Sequence, residues 1–406
     1  MDKTKIFENI DLWRVFQIAA ICSLAITYVF QWGKMISIPS ERTGADFIHF
    51  YAAGRISQVY GFSSVYNLDL QRKMEEAVVG FKLAEWQVLP YNHMPYLIPF
   101  LNLLVNANYI GSFMRWVFIM IGIYAIGCFL FLNKIFPNEN KKVYWTLMMG
   151  MLTFFPFFLN SLYLGQDTAI LFLGTVLWSI GILKKKDWLA ATGLALTTIR
   201  PHICLTLAIP LFFRYRKVWW QFFVITGLLT LASILMLGRQ GTLDFINLLR
   251  LTASGTWYGT NQSAMLNLIG LMLRTLPFIE PGIIRIIGWV GYATGIVLVS
   301  ILWIRAREFD ARLLSLSLII ALLFAPHLHY HDLTLLIIPL IFTATMPTST
   351  VAPERLALLP LGASLLLMLE PLHFIMPYVL YATLGWWLLK KPNTAGVQEL
   401  ESDRTG

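Results

Sequence analysis

The sequence predicts an all-α membrane protein that crosses the bilayer many times. Of its 406 residues, 57% are hydrophobic and only 13% are charged, and its mean hydropathy is +0.65. A soluble globular protein carries about 25% charged residues, so this chain could not cover a water-facing surface. Its apolar residues come in runs of about 20, the length of a helix that crosses a bilayer. The composition therefore excludes a soluble enzyme, a secreted domain and a disordered scaffold.

The net charge of +9 comes from basic residues that lie in short clusters between the apolar runs. These clusters are Lys141–Lys142, Lys184–Lys186, Arg214–Lys217, Arg305 with Arg307, and Lys390–Lys391. Such spacing is typical of cytoplasmic loops, so it favours a multi-pass cell-membrane protein over one that binds nucleic acid. Together with Lys3, Lys5 and Arg14 it predicts that both termini are cytoplasmic. The three cysteines (Cys22, Cys128, Cys204) have no spacing that indicates a metal site or a disulfide framework.

The first apolar run, about 13–32, predicts an anchor helix that delivers a long polar segment to the external side. We expect this first external loop, 37–105, to contain two short amphipathic helices, about 46–59 and 70–79, and a proline-bounded re-entry segment. Further spans are predicted at about 110–132, 143–162, 168–183, 218–237, 283–303, 313–326, 333–345, 356–368 and 378–389.

One segment is too short for the two crossings that its flanking charges require. Residues 187–213 lie between two basic clusters, which predicts a hairpin of two half-length helices with its tip at Arg200–Pro201. A second external loop is predicted at 238–281 and a disordered cytoplasmic tail at 392–406. The whole chain, 1–406, is then a single membrane domain of roughly 11 to 13 transmembrane or half-membrane helices.

With this threading, most of the unusual polar residues lie on the external side. They are Asp46, Gln166, Asp167, Arg200, His202, Asn261, Gln262, His327, His329, His331, Asp332, Glu370 and His373. Ionisable residues at membrane level are costly and are usually functional. Their position on one face predicts a single site there.

Each of these residues also has a structural interpretation. Asp46 could be the N-cap of the helix that follows it, and Gln166 and Asp167 could cap theirs. Arg200 could extend to the membrane interface. The alternating histidines at 327–331 could bind a metal, although a wet turn accommodates such histidines without one.

Several short motifs occur in an order that resembles glycosyltransferase family 87, integral-membrane enzymes of the GT-C class. They are Asp46–Phe47, Val65–Asn67, Tyr91–Pro95, Gly165–Gln166, Arg200–His202 and Asn261–Gln262, and the resemblance covers about residues 12–390. The family includes polyprenyl-phosphate-mannose-dependent mannosyltransferases. The basic–Pro–polar triplet more typically carries lysine, so Arg200 is a departure that keeps the charge but changes its geometry.

The resemblance implies transfer of a hexose, with mannose the first candidate, from a polyprenyl-phosphate carrier to a lipid- or glycan-linked acceptor on the non-cytoplasmic face. Asp46 then corresponds to the general base of an inverting reaction, a role that contributes typically 10²–10⁴-fold to the rate. Arg200, His202 and His331 would stabilise the donor phosphate. The remaining substrate-binding candidates are Tyr91, His93, Gln166, Asp167, Asn261, Gln262 and Asp332.

Since the carrier is already activated, the resemblance requires no cofactor, and no metal is expected because no DxD-type carboxylate pair is present. The partners are the lipid-linked donor, the acceptor and the surrounding membrane lipids; the sequence leaves the oligomeric state open. The alternative is a multi-pass transporter or lipid flippase, which also uses broken helices and buried charges. Transporters generally show two related halves and mid-membrane polar groups, whereas the polar residues here gather at one face.

Overall fold

The computed structural model describes residues 12–37, 46–137, 139–253, 262–345, 352–369 and 372–390. Within these ranges the chain is mainly helical and contains no β-strand. The α-helices are α1 (Leu12–Ser37), α2 (Phe47–Val59), α3 (Leu68–Val79), α4 (Ile98–Leu104), α5 (Tyr109–Ile135), α6 (Lys141–Leu152), α7 (Thr168–Leu183), α8 (Asp187–Leu196), α9 (Pro201–Arg214), α10 (Arg216–Ala253), α11 (Leu268–Thr275), α12 (Pro281–Arg305), α13 (Ala311–Phe324), α14 (Ile337–Thr345), α15 (Pro353–Leu356), α16 (Leu359–Met368) and α17 (Met376–Leu389).

Five helical segments in the described ranges are long and apolar enough to cross a membrane. They are Arg14–Lys34, Tyr109–Ile135, Lys141–Leu159, Arg216–Ala253 and Pro281–Arg305. Shorter apolar helices, among them α7, α9 and α13, lie between them. The predicted all-α membrane protein is therefore confirmed.

Large apolar side chains project from α1 and α10 instead of packing inside the protein. Val29 on α1 and Leu235 on α10 are each 74% exposed, and Leu228 is 63% exposed. A continuous exposed apolar surface of this kind marks a site that contacts either a membrane or another protein. On helices of this length it indicates the lipid-facing side.

The first loop contains the two helices expected from the sequence, but α2 is more enclosed than an amphipathic helix. Ten of its 13 residues are buried. The ring of Phe47 lies 5.3 Å from that of Phe113 and 5.9 Å from that of Trp116, both on α5. Its aromatic residues therefore bind it to the helix bundle, and α2 holds Asp46 at its N-terminus in a fixed position.

The helical segment from Asp187 to Arg214 is interrupted at the residue before a proline. α8 ends at Leu196, a 3₁₀ turn spans Thr197–Ile199, and α9 begins at Pro201. Between them Arg200 is non-helical, with φ −122° and ψ 81°, because the proline ring disfavours the helical conformation at the preceding residue. The break therefore fixes the position of Arg200 between two buried helices.

The segment predicted as a second external loop is largely helical where the structure describes it. Gly238 has φ 64° and ψ −174°, which interrupts α10 before the helix continues to Ala253. The 3₁₀ turn Gln262–Ala264 and α11 follow. The predicted tail at 392–406 lies outside the described residues.

Candidate active site

A cavity of about 800 Å³ opens where the first loop, the start of α7, the α8–α9 break and α12 meet. Its polar wall contains residues from all of these elements and from the segment before α14. They are Asp46, His49, Asn92, His93, Gln166, Arg200, His202, Gln262, Arg285, His327, His329 and His331. Distant parts of the chain therefore bring most of its unusual polar residues to one place.

Arg200 lies at the centre of this wall and is only 7% exposed. One terminal nitrogen is 3.0 Å from Asp167 Oδ1 and donates to Gln166 Oε1 at 3.0 Å, while Nε donates to Asp332 Oδ1 at 3.1 Å. The same terminal nitrogen is 3.4 Å from His331 Nε2. An arginine held by two fully buried carboxylates does not extend to the membrane interface, so that interpretation is wrong.

Asp46 precedes α2, but its side chain makes no capping hydrogen bond to the helix. One of its oxygens, Oδ2, instead accepts a 2.5 Å hydrogen bond from Gln166 Nε2. Burial raises the pKa of Asp46 to about 6, although the Gln166 hydrogen bond and the charge of Arg200 oppose the shift. The carboxylate is therefore oriented toward the cavity and is a stronger base than an ordinary aspartate.

Asp167 connects Arg200 to a pair of histidines. Its Oδ2 lies 2.9 Å from His93 Nδ1, and His93 Nε2 lies 3.2 Å from His49 Nε2. Burial alone would raise the pKa of Asp167, but the charge of Arg200 and the contact with His93 outweigh it and hold this pKa below the ordinary value. Asp167 makes no capping hydrogen bond to α7, so its role is to carry this network.

The predicted site residues occupy three kinds of position. Seven line the cavity: Asp46, His93, Gln166, Arg200, His202, Gln262 and His331. Asp167 and Asp332 lie behind Arg200 and are fully buried. Tyr91 is buried beside His93, with 5.5 Å between the ring centroids, and Asn261 lies outside the described residues.

The histidines of the wall lie close to one another. Ring centroids are 6.4 Å apart for His202 and His327, 4.6 Å for His327 and His329, and 6.0 Å for His329 and His331. No group of three or more His, Cys, Asp or Glu residues in the described ranges has the geometry to hold a metal ion. Hydrogen bonding and charge are the roles that this arrangement supports.

His49 and Arg285 are among the cavity residues to which sequence reasoning assigned no role. His49 lies three residues after Asp46, a spacing that places both side chains on the same face of a helix. Arg285 is a cation in the first turns of an apolar helix, α12, on the side predicted to be external. These two signals, helical spacing and a basic residue at an external helix end, could have identified them.

Comparison with known families gives a match to glycosyltransferase family 87 over residues 97–326, more than half of the chain. The matched region includes Gln166, Arg200 and Arg285, but it begins after Asp46 and ends before His331. Searches of curated proteins and of solved structures gave no match.

Proposed function

The chain belongs to glycosyltransferase family 87 and is a membrane glycosyltransferase, and from this premise we propose a specific reaction. The enzyme moves a hexose, with mannose as first candidate, from a polyprenyl-phosphate carrier to a hydroxyl of a lipid- or glycan-linked acceptor. The observation that carries the proposal is the carboxylate of Asp46 on the cavity wall, oriented by Gln166, which also accepts from Arg200.

The proposed chemistry is a direct displacement with inversion. The acceptor oxygen forms a bond to the anomeric carbon while the bond from that carbon to the phosphate oxygen breaks, and its electron pair leaves with the phosphate. Asp46 takes the proton of the attacking hydroxyl. A carboxylate with a pKa raised by burial suits this role, because it is still ionised near neutral pH yet more basic than usual. Among the described residues that line the cavity, Asp46 is the only carboxylate, which supports direct displacement over a covalent glycosyl-enzyme.

Positive charge stabilises the leaving phosphate. The charges around Arg200 show whether this residue alone can supply it. Arg200 contributes one positive charge, whereas Asp167 and Asp332 each contribute a negative one. Arg285 brings another guanidinium to the cavity wall from α12. In this proposal the phosphate lies between Arg200 and Arg285, with His202 and His331 donating hydrogen bonds.

The carrier's lipid chain needs an apolar path from the site to the bilayer. The cavity has an apolar wall that includes Leu205, Leu249, Ile269 and Trp289. Trp289 on α12 is also 54% exposed, so the cavity reaches the outer side of this apolar helix. This opening supports a lipid-linked donor over a soluble nucleotide sugar. We place the opening on the non-cytoplasmic side, as the basic loops suggest.

Asp46→Asn tests the proposal because it keeps the shape and removes the base. We expect transfer from polyprenyl-phosphate mannose to fall at least about 10²-fold, the lower end of what a general base contributes. The matched control is Asp69→Asn in the same loop, since the Asp69 side chain is 74% exposed and is not part of the cavity. A folded Asp46→Asn protein with activity close to that of Asp69→Asn would overturn the assignment.

A further inference from the structure

Three buried side chains beside the cavity form a hydrogen-bonded series, and the last ring in it has one nitrogen without a partner among the described residues. Asp167, His93 and His49 are 0%, 7% and 6% exposed, and each is within 3.2 Å of the next. Among the described residues, His49 Nδ1 has no hydrogen-bond partner, although the ring lines the cavity. Because the ring lines the cavity, a molecule bound there can reach this unpartnered nitrogen.

The hydrogen positions along this series follow from Asp167. An ionised carboxylate can only accept, so His93 Nδ1 carries the hydrogen that points to Asp167 Oδ2. With one hydrogen on each ring, His93 Nε2 is then an acceptor, and His49 Nε2 donates to it. Burial holds the pKa of His49 well below its ordinary value, which favours a single hydrogen on this ring. His49 Nδ1 is left as a lone-pair acceptor.

The position of His49 relative to the proposed base suggests which molecule it meets. Asp46 and His49 are three residues apart at the start of α2, a spacing that separates Cβ atoms on a helix by about 5–6 Å. Both lie on the wall of the same cavity. Side chains that start this close together can contact two neighbouring hydroxyl groups on one sugar ring, of which Asp46 would deprotonate one.

We propose that His49 Nδ1 accepts a hydrogen bond from a second hydroxyl of the acceptor, next to the one that reacts. The acceptor is therefore a sugar or cyclic polyol with two adjacent hydroxyls, and His49 selects it. His93 and Asp167 are positioning residues that fix the tautomer of His49. This inference rests on the proposed function, and it adds the class of the acceptor and the residue that recognises it.

The experiment compares acceptors that differ by one hydroxyl. The donor is polyprenyl-phosphate mannose, and the acceptors are octyl α-mannoside and its singly deoxygenated analogues, used with purified full-length protein. The variants are His49→Phe, which keeps a planar ring without nitrogen, and His49→Asn, whose side-chain oxygen lies near the position of Nδ1. Arg55→Lys on α2 is the control, since Arg55 is partly buried, donates to Gln58 and is not part of the cavity.

One analogue should lack the hydroxyl that binds His49 but keep the hydroxyl that reacts. With the parent protein we expect its kcat/KM to be about 3- to 10-fold lower than that of octyl α-mannoside, the factor that corresponds to one neutral hydrogen bond. His49→Phe should raise the KM for octyl α-mannoside by a similar factor, leave the donor KM unchanged and no longer discriminate against that analogue. His49→Asn should recover part of the discrimination.

A purely structural role for His49 predicts other results. If His49→Phe discriminates among the analogues as the parent does, or if it changes the donor KM instead, the inference is wrong. Should His49→Phe fail to fold, the same comparison is made with His49→Leu, which also lacks a ring nitrogen, and unchanged discrimination in that variant would again refute the inference. A parent protein that transfers no mannose to any of these acceptors, while Asp46→Asn behaves identically, contradicts the proposed function itself.

Discussion

The raised pKa of Asp46 leads to a defined pH dependence of the transfer reaction. The base must be ionised to accept a proton, so activity should rise as the pH increases through about 6. The structural cause is burial of the carboxyl group, which outweighs the opposing hydrogen bond from Gln166 and the charge of Arg200. For an aspartate in water the same transition occurs near pH 3.9.

The size of the effect follows from the ionised fraction. With a pKa of about 6, roughly one-eleventh of the enzyme carries an ionised Asp46 at pH 5 and roughly ten-elevenths at pH 7. The value of kcat/KM should therefore increase about tenfold between these pH values. With an ordinary aspartate pKa, more than about 90% would be ionised at both, and the profile would be almost flat.

The assay measures kcat/KM at low donor concentration, because this constant reports the pKa of the free enzyme. Transfer from polyprenyl-phosphate mannose is followed from about pH 4.5 to 8 at constant ionic strength, with thermal unfolding recorded at each pH. A phosphodiester donor does not titrate in this range. The protein alone then determines the profile.

Gln166→Leu distinguishes Asp46 from the neighbouring histidines. It removes the hydrogen bond that lowers the pKa of Asp46, so the midpoint of the profile should move to higher pH. Gln166 Nε2 donates to Asp46 itself, so a profile determined by another group should keep its midpoint in this variant. A flat profile between pH 5 and 7, or a midpoint that Gln166→Leu leaves in place, would refute the reasoning.

Two further predictions concern stability in detergent. Glu75 is 1% exposed, and its Oε2 accepts a hydrogen bond from the Leu89 amide at 3.1 Å. Burial raises the pKa of Glu75 to about 8. The contribution of this residue to the free energy of unfolding is therefore complete at low pH and is lost as pH rises from about 4.5 to 8. Glu75→Gln should therefore be more stable than the parent by a few kcal/mol above about pH 8 and not at pH 5, and equal melting temperatures at both pH values would contradict this. Gly193→Ala should destabilise by about 1–3 kcal/mol, because its Cβ would lie 2.3 Å from Trp178 N across the α7–α8 contact. The control Gly362→Ala, with nothing within 4 Å, should be neutral or slightly stabilising, and a similar loss in both variants would exclude the packing explanation.

Local features of the fold could be predicted because they depend on neighbouring residues. α7 begins and ends at the predicted residues, Thr168 and Leu183, since an apolar run bounded by a polar pair and three lysines leaves little choice. The interruption at Arg200 follows from the proline after it. The burial of α2 could not be predicted from its neighbouring residues. It depends on side chains of α5, more than 60 residues away in the sequence.

The same distinction applies to the site. The sequence indicated which residues were chemically unusual and predicted that they share one site, and most of them line one cavity. It did not show that Asp167 and Asp332 pair with Arg200, because these contacts join residues that are 33 and 132 positions apart. Nor did it reveal that His93 connects Asp167 to His49, since both histidines have ordinary local surroundings.

The neutral residue between Asp46 and Arg200 explains how a base can work beside a guanidinium. Gln166 donates to Asp46 through Nε2 and accepts from Arg200 through Oε1, so the amide orients both groups without a direct salt bridge between them. A direct pair with Arg200 would lower the pKa of Asp46 and weaken it as a base. The charge of Arg200 is instead balanced by Asp167 and Asp332, whose salt bridges fix the guanidinium. In the proposed reaction the site thus keeps its cation in place while Asp46 retains the basicity that proton transfer requires.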